Sequence, residues 1–337
     1  MRLVRIHGAN QVSLDEVADP KPGPGDVVLK IGACGICGSD VSYVKNGWLR
    51  PGGEPFPLGH EAAGTVIAVG SEVKGIKPGL RAALNPAGAM DSVIGNGGAE
   101  GALGNLLLVR DAEIGKDLLP IPDDMPMSRA ALVEPLAVAM HGVNRGEVTK
   151  TSKTVVFGAG PIGLGAVLWL RRRGVASVVS VDISDDRLGY ARKLGAHETI
   201  NPLREDFRAR LLTLHGRGRP VLGEITVGTD VFFDMAGGKT VIPSVIANAQ
   251  LHARLVISAV YQKPVEFDLL RGLMKELHIT TAGGYPTEFP AVLAELEAIS
   301  DDELAPYISH SFAFEDFMKA FEVAKTPASA KVMIEFV

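Results

Sequence analysis

Thr154-Val-Val-Phe-Gly-Ala-Gly-Pro-Ile-Gly163, continued by Leu164 to Arg173 and then by Ser177-Val-Val-Ser-Val-Asp182, reads as strand, glycine turn, helix and second strand. A Gly-x-Gly-x-x-Gly triplet alone occurs by chance in many sequences, so its setting decides its meaning. Here Gly158, Gly160 and Gly163 follow an apolar strand and open a helix. Backbone N–H groups and the helix dipole at such a turn can receive a pyrophosphate. Ile162 sits inside the turn, and Asp182 lies 19 residues beyond Gly163 at the end of the next strand. A carboxylate there can accept both ribose hydroxyls of NAD and would repel the extra phosphate of NADP. Arg187 is the reservation, because an arginine near that ribose could hold a phosphate; its plain alternative is pairing with Asp185 or Asp186 on a helix surface.

Further strands are expected at Val231 to Asp234, Arg254 to Ser258 and His278 to Thr281. Strands alternating with helices predict a parallel sheet with right-handed crossovers. Upstream the texture differs. Short apolar runs (Val27 to Ile31, Gly64 to Val69, Leu106 to Val109) alternate with turns such as Pro20-Lys-Pro-Gly-Pro-Gly25 and Lys77-Pro-Gly79, the pattern of many short strands. From Ala130 through Val143 an apolar stretch reads as a helix that Pro135 should start or kink. With 337 residues, two domains are expected.

Composition excludes several classes. A net charge of −5, with no basic block longer than Arg171-Arg172-Arg173, argues against a nucleic-acid or anionic-membrane partner. That triplet suits a helix end. The start, Met1-Arg-Leu-Val-Arg-Ile-His, reads as a strand and lacks a signal peptide's apolar run. No stretch of roughly 18 apolar residues is present, so no span is expected. Two cysteines cannot build a disulfide framework, and a reducing cytoplasm is the default location.

Those cysteines fall in Cys34-Gly-Ile-Cys37-Gly-Ser-Asp40, answered by Gly59-His60-Glu61 and Glu134-Pro135. A Cys-x-x-Cys can be a redox pair or two buried thiols. A thiol, an imidazole and carboxylates are nevertheless the donors Zn²⁺ takes, and an incomplete protein shell marks a catalytic zinc rather than a structural one. Gly and Pro flank every candidate (Gly35, Gly38, Pro55, Pro57, Gly59, Gly64), which places the donors on short rigid loops.

The order Cys-Gly-Ile-Cys-Gly-Ser-Asp, Gly-His-Glu, Glu-Pro-Leu-Ala-Val-Ala-x-His and Gly-Ala-Gly-Pro-Ile-Gly resembles the zinc-dependent medium-chain dehydrogenase/reductase family over nearly the whole chain. Within it the chain is similar to the polyol branch of sorbitol, threonine and 2,3-butanediol dehydrogenases. Glu134 stands where that branch carries glutamate, and Lys263-Pro-Val-Glu-Phe-Asp268 with Gly284-Tyr-Pro-Thr-Glu-Phe289 is similar to butanediol dehydrogenases. The resemblance implies an α/β architecture: a chaperonin-10-like, mainly β catalytic domain over 1–137 and 283–337, and a doubly wound Rossmann domain over 138–282. Their cleft would hold zinc, nicotinamide and substrate.

The resemblance further implies Cys37 and His60 as zinc ligands, with Glu61 and Glu134 as a carboxylate pair whose direct or water-mediated contact varies among relatives. Cys34 matches a position that does not bind metal. Asp40 would hydrogen-bond the His60 imidazole and fix its tautomer, and Ser39 would take the alcohol proton. Ile162, Asp182 and Arg187 match cofactor contacts, and Ser258, Ala259 and Val260 would line the nicotinamide through their backbone. The implied activity is NAD-linked interconversion of a secondary alcohol, vicinal diol or polyol with its ketone by hydride transfer.

Two departures stand out. Many relatives hold a structural zinc on a lobe with four cysteines, yet Asn85 to Gly104 contains none. One catalytic zinc and no structural zinc are therefore expected, with that Gly/Ala-rich lobe ordered by packing or by an oligomer contact, or mobile. Ser42 stands where relatives often carry a relay histidine, which leaves the proton route open. Trp48 and Phe56 could shape the substrate pocket or be loop core; His141 reads as packing at the domain junction rather than as a ligand, and Asp234 as a strand-end residue near the cofactor rather than a catalytic base. Family habit implies a homotetramer, or a dimer joined through the nucleotide-domain sheets. A zinc-free quinone or enoyl reductase lacks the Cys/His/Glu set, and a non-catalytic structural relative need not retain it.

Overall fold

A computed structural model describes residues 1–47, 55–87, 93–221 and 223–336. The chain divides into two compact units, one of Met1–Glu134, Phe289–Ile299 and Ile308–Val337, the other of Pro135–Glu288 and Ser300–Tyr307. Among the described residues no helix is long and apolar enough to cross a membrane.

The first unit is mainly β. Its larger sheet runs in the order Ile308–Ala313, Lys331–Glu335, Val27–Ile36, Glu61–Val69, Arg81–Leu84 and Leu118–Pro120, and Leu106–Val109 pairs with the beginning of Val27–Ile36. Val27–Ile36 is the pivot. It pairs antiparallel with both Lys331–Glu335 and Glu61–Val69, in a register that sets Gly35 opposite Glu61 on one side and Met333 on the other. Its apolar residues Val27, Leu29, Ile31 and Cys34 are buried in one cluster with Val66, Leu84, Phe314, Phe317 and Ile334. A smaller sheet joins Gln11–Glu16, Arg2–Gly8 and Phe56–Pro57.

The second unit holds six parallel strands, in the order Glu198–Ile200, Ser177–Val181, Lys153–Phe157, Val231–Asp234, Arg254–Ile257 and His278–Thr281. Strand succession runs outward in both directions from Lys153–Phe157, so the order reverses beside that strand. Ligands of doubly wound sheets sit at such a reversal, outside the strands' carboxyl ends. Phe157, Phe232, Val179, Leu255 and Ile246 fill the core beneath it.

Helix boundaries moved a little from the sequence expectation. The helix after the glycine turn spans Pro161–Arg172 with Gly160 as its N-cap, because proline's fixed φ and missing N–H suit the first helical position. The Ala130-to-Val143 stretch resolves into Met127–Ala130 and Val133–Arg145. Pro135 lies in the first turn of the second helix, where the absent donor costs nothing.

Candidate metal centre and nucleotide pocket

In the first unit, Val27–Ile36 delivers the chain to Cys37, which is the N-cap of the helix Gly38–Asn46. Asp40 Oδ2 accepts from the Cys37 backbone N–H at 2.8 Å and closes that helix end. The paired strand Glu61–Val69 begins on Glu61, directly after His60. The register therefore gathers Cys37, His60 and Glu61, whose donor atoms all lie within 4.8 Å of one another, and no other such trio occurs among the described residues. His60 is 3% and Glu61 1% exposed. Gly35 makes room for the carboxylate, since a Cβ there would stand 2.1 Å from Glu61 Oε2.

Charge explains what the trio suits. Burial lowers the affinity of the His60 imidazole for a proton, but the Cys37 thiolate, its hydrogen bond, and the Asp40 and Glu134 carboxylates outweigh that and hold it well above the usual histidine range. A pocket that forces a proton onto its imidazole is short of positive charge. The buried His60 Nδ1 and Asp40 Oδ1 have no hydrogen-bond partner, a condition buried polar atoms rarely tolerate. A thiolate, an imidazole and a carboxylate at this spacing fit a zinc ion.

Asp40 Oδ1 stands 3.8 Å from His60 Nδ1, so it acts on the imidazole as a nearby charge rather than as a hydrogen-bond acceptor. Burial pushes the Asp40 carboxyl up, only partly offset by His60 and the Cys37 N–H. Glu134 is buried in the first turn of Val133–Arg145. Its charge reaches His60, yet it lies outside the compact trio. Cys34 is fully buried, and burial pushes its thiol well up, which suits a core thiol.

Sequence reasoning missed Lys331. Its Nζ donates to Glu61 Oε1 at 2.6 Å, to Oε2 at 2.5 Å and to Ile36 O at 3.1 Å, from a side chain 1% exposed. Burial pushes its ammonium down, but Glu61, then Cys37 and Glu134, more than reverse this. A strand-initial lysine separated from Glu61 by 270 residues carries no local signal. Only the register of Lys331–Glu335 against Val27–Ile36 brings it there.

The lobe from Asn85 to Gly104 is described except for residues 88–92. Gly95 N donates to Glu100 O, Ala102 N to Gly59 O and Leu103 N to Leu58 O, all at 2.8–3.0 Å. Asn96 Oδ1 accepts from the Tyr43 hydroxyl at 3.0 Å. Backbone pairing thus ties the lobe to the segment that presents His60. Phe56 is a core residue, 1% exposed and edge-on to Tyr43; Trp48 falls outside the described residues.

In the second unit a cavity of about 640 Å³ opens at the sheet's reversal. Phe157, Gly158, Gly160, Asp182, Arg187, Phe207 and Lys239 are among its lining residues. Gly158 has φ +90°, and a Cβ on Gly163 would stand 1.8 Å from Gly158 O, so the turn closes only with glycine at both places. Asp182 Oδ2 accepts from Ala159 N at 2.7 Å and Oδ1 from Ser184 N at 2.8 Å. Its carboxylate is thereby fixed at the rim with lone pairs to spare. Ile162 follows Pro161 in the helix's first turn. Ser258, Ala259 and Val260 follow the strand Arg254–Ile257 and lie outside this cavity's lining. His141 Nδ1 instead meets Glu288 Oε1 at 2.9 Å, within the same unit.

Comparison with known proteins finds relatives over nearly the whole chain. The model of the zinc-binding dehydrogenase family matches residues 161–298, and that of the alcohol dehydrogenase GroES-like domain matches residues 23–123. Sorbitol dehydrogenase of Rattus norvegicus is 31% identical over 348 residues, covering 98% of this chain and 94% of its own. The crystal structure of 2R,3R-butanediol dehydrogenase from Bacillus subtilis is 26% identical with a TM-score of 0.86 and covers 99% of each chain. A short chain alcohol dehydrogenase from E. coli CFT073, complexed with NADH, is 26% identical with a TM-score of 0.85, covering 100% of this chain and 99% of its own. The two units thus carry the GroES-like and Rossmann parts of a zinc-dependent medium-chain dehydrogenase. The chain belongs to the zinc-binding dehydrogenase family, in its polyol branch.

Proposed function

We propose that this protein is a zinc-dependent, NAD-linked dehydrogenase that interconverts a secondary alcohol, vicinal diol or polyol with the corresponding ketone. The observation that carries the reading is the trio of half-buried Cys37 with buried His60 and Glu61, short of positive charge, on a chain that also builds a nucleotide pocket. Relatives named sorbitol and butanediol dehydrogenase support a substrate with neighbouring hydroxyls.

When bound, zinc supplies a Lewis acid that lowers the alcohol's hold on its proton, and the nicotinamide supplies the hydride acceptor. Cys37 and His60 hold the metal, with Glu61 and Glu134 as the carboxylate pair. Lys331 balances the charge of Glu61 and keeps its carboxylate in place. The Ser39 hydroxyl, shielded from solvent beside the cluster, takes the alcohol proton. Gly158, Gly160, Ile162 and Gly163 receive the pyrophosphate, Asp182 and Arg187 the adenosine ribose, and Ser258, Ala259 and Val260 the nicotinamide. The anchored Asp182 carboxylate favours NAD over NADP.

The reading further assigns one catalytic zinc and no structural zinc, because the sequence has only Cys34 besides Cys37 and so cannot supply a second, cysteine-built closed shell. Catalytic segments 1–137 and 283–337 are assigned around the nucleotide segment 138–282, although the compact units group Pro135–Glu288 with Ser300–Tyr307; the cytoplasm is the assigned location. The chain forms a homo-oligomer through the nucleotide unit. Support comes from the edge strand His278–Thr281, largely exposed, and from Leu269, Leu270 and Leu273, at least 68% exposed on the helix Leu269–Met274. Exposed strand edges beside apolar side chains seek a partner. A panel of secondary alcohols, diols, polyols and threonine, assayed for NADH formation alongside NADP, tests the activity. Reduction of NADP in preference to NAD contradicts the reading of Asp182.

A further inference from the structure

We infer that Tyr261 and Asp234 form a positioning pair that sets the loop Ser258–Val260 at the nicotinamide end of the cofactor. The inference rests on the proposed placement of the nicotinamide against that loop. Asp234 ends the strand Val231–Asp234 and is completely buried. Its Oδ1 accepts from Ala236 N at 3.1 Å and from Gly237 N at 3.0 Å, which holds the loop after its own strand. Its backbone carbonyl accepts from Ser258 N at 3.0 Å and Ala259 N at 3.1 Å, which holds the start of the loop after the next strand. Its Oδ2 accepts a short hydrogen bond from the Tyr261 hydroxyl, which also lies 3.3 Å from Gly238 O. One carboxylate therefore joins two loops at the carboxyl ends of adjacent strands.

The loop needs such a tether. Ser258 and Ala259 are only partly buried, Val260 is 87% exposed, and Gln262, Lys263 and Pro264 beyond Tyr261 are exposed. The loop's own side chains contribute little apolar burial, so the hydrogen bonds to Asp234, with Ile257 and Tyr261 packed on the core cluster at either end, hold it in place. The first glycine of the nucleotide turn feels the same network: a Cβ on Gly158 would meet Ala236 at 3.1 Å, and Met235 N donates to Phe157 O at 2.9 Å. Burial, reinforced by the Asp234 hydrogen bond and charge, pushes the Tyr261 phenol far up, so it stays a donor at any working pH. A bond to a carboxylate is of the stronger kind.

The test separates the two ends of the cofactor. Zinc-loaded wild type, Tyr261→Phe and Asp234→Asn are titrated with NADH, with reduced nicotinamide mononucleotide and with ADP-ribose. Tyr261→Phe is expected to weaken NADH and the mononucleotide about tenfold, the range for losing a hydrogen bond to a charged group, and to leave ADP-ribose and zinc content unchanged. Asp234→Asn keeps the contact with donor and acceptor exchanged, and should fall nearer wild type. Equal weakening of ADP-ribose would reveal a merely structural role, and unchanged binding of all three ligands would leave the pair without effect; either overturns the proposal. Wild type that fails to bind ADP-ribose overturns the nucleotide-site reading itself, and the pair with it.

Discussion

The metal cluster and the nucleotide pocket are built in opposite ways. The pocket rests on one continuous run, Lys153 to Asp182, in which strand, turn and helix each follow from neighbouring residues. The metal cluster draws Cys37, His60, Glu61 and Lys331 from strands that meet only through sheet register, with 270 residues between the last two. The cost of polar burial differs accordingly. Asp182 keeps one edge in an open cavity and takes two backbone donors, whereas Glu61 and Lys331 are both 1% exposed and depend on each other. A local motif tolerates the loss of a contact; an interior assembled from distant strands does not.

The largest effect should come from Cys37→Ala. It removes a donor without disturbing the apolar cluster, so zinc is lost and turnover falls at least about a thousandfold, as removing several kcal/mol of Lewis-acid stabilisation requires. Circular dichroism should show the fold retained. Lys331→Met strikes the same region through stability: it strands a buried carboxylate, and urea unfolding should report a loss of about 3–5 kcal/mol, with Lys331→Arg closer to wild type. An unchanged midpoint would show that the pair is dispensable and would break the contrast. In the pocket, Asp182→Ala should raise the KM for NAD about tenfold and narrow the preference over NADP, while zinc content and melting stay near wild type.

The smallest effect concerns pH. His215 in the second unit is buried between Ser177 Oγ, 3.0 Å from Nε2, and Thr229 Oγ1, 2.7 Å from Nδ1. Burial, then Lys153, lowers it from 6.5 to about 4. A depressed histidine favours the neutral folded form, and the unfolded chain takes up protons first as pH falls. Its contribution is therefore full above pH 6.5 and is lost as pH falls toward 4. Unfolding midpoints measured across that window should decline less in His215→Gln than in wild type.

These contrasts also describe what the sequence discloses. The parallel sheet was legible because Thr154 to Asp182 carries its own start and stop signals, and the strands at Val231, Arg254 and His278 are short apolar runs between turns. A thiol, an imidazole and carboxylates were legible as one candidate zinc site from their residue types, while the choice of Cys37 over Cys34 came from the family resemblance. Lys331 was not, because nothing near Ala330-Lys-Val-Met reports a partner in a strand so far upstream. Nor was the role of Gly35, which becomes apparent only when the pairing sets it against Glu61. Asp40 was singled out beside His60, yet its closest bond caps its own helix. Helix capping is a local preference, and it claimed the side chain first.

The most direct measurement is zinc content and NADH formation on one preparation, with a secondary alcohol or vicinal diol that the wild-type enzyme oxidises. The account predicts about one zinc per chain, with activity that disappears on chelation and returns with zinc. Full turnover by a demonstrably metal-free enzyme would contradict it.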